Sequence, residues 1–198
     1  MGCGSGTNLQ IISKFGKVHF FDSNLRISNL VKKKFNTNDF IQIKRLSKNK
    51  KKFDLILALD VIEHIENDRL IIKKLYKKLN KNGKILITVP AFNFLFSSKD
   101  RDLHHKRRYT LNSLTKVLDN FFIIKKKTYF NFLLSLPIII SIIFYKIFNV
   151  KFIDKVEKKP STIVNFILFK IFSAEKYFLN NINLPFGISI LMYSKKKY

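Results

Sequence analysis

Short apolar runs alternate with amphipathic ones along the first 120 or so positions. KVHFFD at 17–22 is rich in strand formers and ends in an acid, and SNLRISNLVKKKF after it has helical spacing, which predicts strand then helix. DFIQI (39–43) and FDLILAL (53–59) predict two more strands, the second apolar on both faces, as in a central parallel strand. NDRLIIKKLYKKLN then puts Leu70, Ile71, Leu75 and Leu79 on one helical face with lysines opposite, and Asn82-Gly83 predicts its end. KILITVP (84–90) predicts the next strand, closed by proline, and PFGISILMYS (185–194) a final strand of the same sheet. Strands alternating with helices imply an α/β, doubly wound, mostly parallel sheet with ligands at the carboxyl ends of its strands.

That pattern is interrupted at 128–145 by TYFNFLLSLPIIISIIFY, which has no charge, with Lys125–Lys127 before it and Lys146 after. Its length reaches the lower limit for a bilayer span, but Pro137 sits mid-run, where it is expected to kink or break a helix. STIVNFILFKIF (161–172) is a second apolar stretch beyond a polar link. Three readings stay open: a buried helical hairpin capping the sheet, a hairpin that dips into a membrane interface with a lysine collar, and a true span, the last disfavoured because PFGISILMYS then returns to the same sheet. The expected organisation is one α/β domain over 1–129 and 181–198, carrying an apolar helical insertion over 130–180.

Composition adds little to the fold but narrows the partners. The net charge is +25, yet six of the 38 basic residues are Arg, and Lys, Asn, Ile and Phe are used heavily throughout. Lysines as solvated surface and a preference for anionic membranes or substrates both fit. Nucleic-acid binding is disfavoured, since Arg clusters interleaved with exposed aromatics are missing. The single cysteine, Cys3, excludes an internal disulfide and fits a reducing compartment, so the expected location is cytoplasmic, peripheral at the inner face of a membrane.

Chemistry is suggested at three places. GCGSG (2–6) lets backbone approach a ligand closely, because glycines remove the side-chain barrier. Asp22 ends the next strand, where a carboxylate can accept both hydroxyls of a ribose; a helix N-terminal acid is the alternative. ALDVIEHIEND (58–68) follows the FDLILAL strand, and Asp100, His105, Arg107, Arg108, Tyr109 and Thr110 form a D-x4-H-x-R-R-Y-T pattern after the KILITVP strand.

Taken in order, GCGSG, FFD, FDLILALDVIEHIEND, LNKNGKILITVPA, the Asp100–Thr110 pattern and PFGISIL resemble a class I S-adenosylmethionine-dependent methyltransferase, of the broad bacterial type-11 and type-23 methyltransferase-domain kind. The resemblance covers nearly the whole chain. It implies a seven-strand Rossmann-like sheet, with Gly2, Gly4 and Gly6 approaching the methionine part of the cofactor S-adenosyl-L-methionine, Cys3 and Asp60 beside it, and Asp22 on its ribose. In the family an apolar strand precedes the glycine loop, whereas here Met1 stands where its last residue belongs; the expectation is a chain lacking its N-terminal first strand. IKRLSKNK (43–50) also lacks the family's carboxylate near the adenine, leaving backbone or apolar groups for that contact.

Asp60, Glu63 and His64 share a helical face if the segment after the strand is helical. They resemble the E-x-x-E-H set with which ubiquinone-pathway O-methyltransferases and small-RNA ribose methyltransferases hold a divalent ion, His105 being the extra ligand; helix capping or pocket shaping is the alternative. His105 is the candidate base for an acceptor hydroxyl, with His64 beside it. Arg107, Arg108 and Tyr109 are the candidates for gripping a phosphate or carboxylate of the acceptor, against a solvated basic loop. The function implied is methyl transfer to an oxygen, less readily to nitrogen or carbon, of a small-molecule, glycan or lipid-linked acceptor. A truncated, non-catalytic relative acting as a membrane-associated interaction module is the alternative.

Overall fold

The computed structural model describes residues 1–35, 39–133, 135–148 and 161–198. A short helix α1 (Leu9–Ser13) follows the glycine loop, and β1 (Val18–Phe20), α2 (Leu25–Lys34) and β2 (Phe40–Gln42) come next. The Asn24 side chain caps α2 by accepting from the amides of Arg26 and Ile27, which satisfies donors that a helix start leaves without partners. β1 and β2 pair in parallel over a small core of Leu9, Val18, Phe20, Val31 and Phe35.

The larger sheet is built from β3 (Phe53–Leu59), β4 (Leu79–Pro90), β5 (Phe122–Phe130) and β6 (Ser189–Lys196), in the spatial order β3-β4-β6-β5. β3 and β4 are parallel, and β6 runs against both of its neighbours. Helices α3 (Asp68–Lys77) and α5 (Leu111–Leu118) bury Ile72, Leu75, Leu114 and Leu118 in one cluster with Ile85, Ile87, Phe122, Ile190 and Met192 of the strands. Between them lie the short α4 (Ser98–Asp102) and single 3-10 turns at Ile62–His64 and Asn93–Leu95. Gly187 lets the chain enter β6, since a Cβ there would stand 2.3 Å from the Phe130 carbonyl oxygen.

Six strands are described, in two hydrogen-bonded groups, and the first residues run between these groups. The Met1 amino group donates to the Leu57 carbonyl of β3 at 2.7 Å, and the Cys3 amide donates to the Phe21 carbonyl just beyond β1 at 3.1 Å.

Four expectations from the pattern need correction. FDLILAL is not a central strand: among the described residues β3 pairs only with β4, at the edge of the larger sheet, and Leu55 on its second face is exposed. The helix over 68–77 ends at Lys77, not at Asn82-Gly83, because Leu79 is drawn into the ladder opposite Phe53 and is fully buried there. Asn82 takes a left-handed conformation inside β4, at a register shift. The buried stripe of α3 is accordingly Ile72 and Leu75, and Leu70 is exposed. Pro137 does not break the apolar run, because helix α6 (Ser135–Phe148) begins two residues before it. In the first turn a proline removes a donor that has no intrahelical partner anyway. The second apolar helix, α7 (Thr162–Asn181), starts at a Ser161 cap, and the polar link expected before it lies outside the described residues. No helix among the described residues is long and apolar enough to cross a membrane.

Candidate active site

The glycine loop sits where the two sheets approach each other. Gly2, Gly4 and Gly6 all have positive φ, a conformation costly for other residues. At two of them the space is also taken: a Cβ on Gly2 would stand 2.4 Å from Val61 Cγ2, and one on Gly6 would stand 2.8 Å from Phe35 Cε2. Gly4 faces open space instead, with nothing within 4 Å of where its Cβ would be. Asp22 closes the loop, one carboxylate oxygen accepting from the Gly4 amide at 3.1 Å and the other from the Asn24 amide at 3.0 Å. Each oxygen keeps a second lone pair. The half-buried Cys3 thiol is pushed up by burial and by Asp22, so it stays protonated. Beyond β2 a hollow of about 530 Å³ is lined by His19, Ile41, Gln42, Ile43, Lys44, Arg45, Lys48, Asn49 and Lys51, with no acid among them.

After β3 the chain turns sharply at Asp60, whose φ is 52°. Its amide donates to the Thr88 hydroxyl at 3.1 Å, and that hydroxyl donates back to the Asp60 carboxylate at 3.1 Å, which ties the end of β3 to β4. The following turn is 3-10, not α-helical, so the spacing of three and four residues does not place Asp60 with Glu63 and His64. The set brought together is Glu63, His64 and His105, whose ligand atoms lie within 4.8 Å of one another. Glu63 is fully buried and neither carboxylate oxygen has a hydrogen-bond partner, so it does not cap a helix. Burial pushes its carboxyl up to about 8. His64 is lowered from the ordinary imidazole value, first by burial and then by the neighbouring His105, whose ring centre is 4.7 Å away.

His105 is held by Asp100. Its Nδ1 lies 2.8 Å from the Asp100 carboxylate, and its amide donates to the Asp100 carbonyl. A carboxylate at Nδ1 fixes the tautomer with the proton on that nitrogen, leaving Nε2 as the basic atom. Asp100 also accepts from the Ser97 amide and hydroxyl and from two nitrogens of Arg108. Burial alone would raise this carboxyl, but the hydrogen bonds from Arg108, His105 and Ser97 outweigh it and hold the group down at about 2.

The basic residues predicted to grip an acceptor are largely committed within the protein. Arg108 is spent on Asp100 and the Ala91 carbonyl. Arg107 reaches the Glu66 carbonyl at 2.7 Å and Asp68 at 3.4 Å. Tyr109 is buried, its hydroxyl donates to Asp68 at 2.9 Å, and burial together with Asp68 pushes its pKa far up. Sequence reasoning missed Asp68 as the partner of both side chains, and it missed Phe92, which stacks on Tyr129 at 5.0 Å and on Phe186 at 5.2 Å. The one available signal was an aromatic directly after the Pro90-Ala91 strand end, which has no spacing to set it apart.

The chain's sequence and fold match known ones. A family model described as a methyltransferase domain matches residues 1–124. The chain belongs to this methyltransferase family. No curated protein matches it. Among solved structures, one from Bacillus halodurans C-125, a methyltransferase by description only, is 17% identical with a TM-score of 0.63, over 100% of this chain and 90% of the other. Phosphoethanolamine N-methyltransferase 2 of Haemonchus contortus, bound to S-adenosyl-L-methionine, is 15% identical with a TM-score of 0.60, over 100% of this chain and 47% of its own. The N-methyltransferase NodS of Bradyrhizobium japonicum WM9 is 10% identical with a TM-score of 0.57, over 100% of this chain and 83% of its own. The shared architecture is the Rossmann-like methyltransferase fold.

Proposed function

We propose that this methyltransferase moves the methyl group of S-adenosylmethionine to an oxygen of a small-molecule, glycan or lipid-linked acceptor. The carrying observation is that His105, oriented through Nδ1 by the buried Asp100, presents Nε2 beside Glu63 and His64. The residues at the glycine loop suit the cofactor: Gly4 faces open space at positive φ, and the Asp22 oxygens keep lone pairs for a ribose diol. The cofactor, when bound there, supplies an electrophilic methyl on a sulfonium. His105 Nε2 takes the proton of the acceptor hydroxyl as that oxygen attacks the methyl carbon, and Asp100 holds the ring while the imidazolium forms. With little covalent work left to the protein, positioning supplies most of the acceleration.

The test pairs calorimetric titration of S-adenosylhomocysteine with transfer of labelled methyl to extracts containing lipid-linked glycans. His105→Gln should bind the homocysteine product as wild type does and lose transfer by about 100-fold or more. If wild type binds no S-adenosylhomocysteine, the non-catalytic alternative takes over; if His105→Gln transfers normally, another group is the base.

A second reading is favoured by Glu63, whose buried carboxylate oxygens take no hydrogen bond. A divalent ion at Glu63, His64 and His105 would satisfy that carboxylate and acidify a bound acceptor hydroxyl. Asp60 has no part in this set. Manganese binding followed by electron paramagnetic resonance, and its loss in Glu63→Gln, tests the site without recourse to turnover; an unchanged free-manganese signal in the presence of wild type excludes it.

A further inference from the structure

Helices α6 and α7 carry apolar side chains that the rest of the protein leaves uncovered. Leu136 and Ile140 of α6 are 68% and 65% exposed, and Ile163, Phe166 and Phe169 of α7 are 74%, 58% and 63% exposed. The one buried side chain of α7 is an acid, Glu175, which accepts from the Phe132 amide at the approach to α6. Lys126 of β5 donates to the carbonyls of Leu179 and Asn180 at the end of α7. The later turns of α7 are therefore fastened to the sheet, and the first turns stand out from it. Such a run of exposed Phe and Ile far exceeds what a water-facing surface ordinarily carries.

Charge identifies the occupant. α6 has no acidic residue and the only acid of α7 is buried, whereas Lys170 and Lys176 are exposed on α7. A second copy would bring another +25 against the first. An anionic bilayer offers an apolar interior to the Phe and Ile side chains and headgroups to the lysines. We infer that α6 and the first turns of α7 form an interfacial platform that lies on an anionic lipid surface without spanning it. α6 rests against the Asn93–Leu95 turn, which follows β4 as the His105 segment does, so the platform faces lipid on the acceptor side of the sheet. The surface goes beyond the methyl-transfer reading and stands whether or not that reading does.

The experiment is flotation of the full chain with phosphatidylcholine vesicles, with and without phosphatidylglycerol, alongside S-adenosylhomocysteine titration of the same samples. Wild type should float with the anionic vesicles, and less so as salt is raised. Phe166→Ser together with Phe169→Ser should weaken partition on the order of 100-fold, with an unchanged near-ultraviolet circular dichroism spectrum. Lys170→Gln with Lys176→Gln should lose the preference for phosphatidylglycerol and keep residual binding. Failure of wild type to float with any vesicle overturns the platform, as does a double serine variant that floats undiminished. A dimer in solution that the serine variant converts to monomer, without flotation, would assign the surface to a second copy instead. The titration reads the methyl-transfer proposal separately in every case.

Discussion

Asp100→Asn tests the centre of the candidate site most directly. The wild-type carboxylate is 1% exposed and takes hydrogen bonds from Ser97, His105 and Arg108, which hold it at about 2, below an ordinary 3.8. A depression of roughly two units is worth about 2 kcal/mol at neutral pH. Because the folded value is the lower one, this stability is fully present above pH 3.8 and is lost as pH falls through about 2. The asparagine keeps the shape and one acceptor but turns its amide toward the Arg108 donors, so it also leaves a mostly buried guanidinium without its counter-charge. Removing one partner of a buried pair costs about 3–5 kcal/mol when the pair is fully desolvated. Arg108 keeps its bond to the Ala91 carbonyl, so the expected loss is about 2–4 kcal/mol, or a fall in Tm of roughly 5–15 °C for a chain of this size.

Thermal melts followed by circular dichroism between pH 2 and 7 read both effects. Wild type should lose stability steeply below pH 4, and the variant's curve should be lower at neutral pH and flatter across that acid range. A positioning role for Asp100 adds a readout that a merely structural one would not move. Under conditions where the variant stays folded, S-adenosylhomocysteine affinity should be retained while the transfer rate falls, because His105 has lost the anion at Nδ1. An Asp100→Asn protein that melts with wild type and keeps the wild-type acid profile would refute the argument.

Glu63→Gln should raise stability in chelator-treated buffer at pH 7 by about 3 kcal/mol: the wild-type carboxyl titrates near 8 when folded against about 4.5 when unfolded, so its penalty grows across that window. Denaturant titration at pH 5 and 8 checks the sign, since the advantage should shrink toward the lower pH. Gly187→Ala should cost about 2 kcal/mol or more, because its Cβ would meet backbone of Phe130 and nothing there is a flexible side-chain end; the midpoint of urea unfolding reads it. Tyr109→Phe should cost about 1–2 kcal/mol through the lost bond to Asp68, measured in the same way.

FDLILAL was legible as a strand because a short apolar run bounded by polar residues leaves a mark that survives without tertiary information, and it is β3 at the stated residues, whereas β5, with three lysines in its middle, left no such mark. The end of α3 was not. Leu79 fits the helical stripe, but its pairing with Phe53 across the β3–β4 ladder is worth more than another half-turn of helix, and that partner is a long-range fact. Pro137 misled for a local reason: its effect depends on whether it falls in a first turn, and the start at Ser135 is set by chain geometry that the apolar run conceals. At the site, composition showed which residue types were present but not how they pair. Glu63 and His64 are adjacent in the chain, while His105 joins them because Asp100 and the Glu63 carbonyl hold its segment, the latter by accepting from the Lys106 amide.

The D-x4-H-x-R-R-Y-T segment therefore has a different meaning in the fold than in the sequence. Arg108 answers Asp100, while Arg107 and Tyr109 answer Asp68 at the start of α3, so its guanidinium charge is largely balanced before any acceptor arrives. The segment clamps the chain after β4 to the chain after β3, and what it offers outward is the Nε2 edge of His105. Apolar surface runs from the Phe92 ring just after β4, which stacks on Tyr129 and Phe186, through the Asn93–Leu95 turn to α6. Under the proposed methyl transfer, an acceptor hydroxyl borne on an apolar or lipid-anchored body would suit that sequence of surfaces.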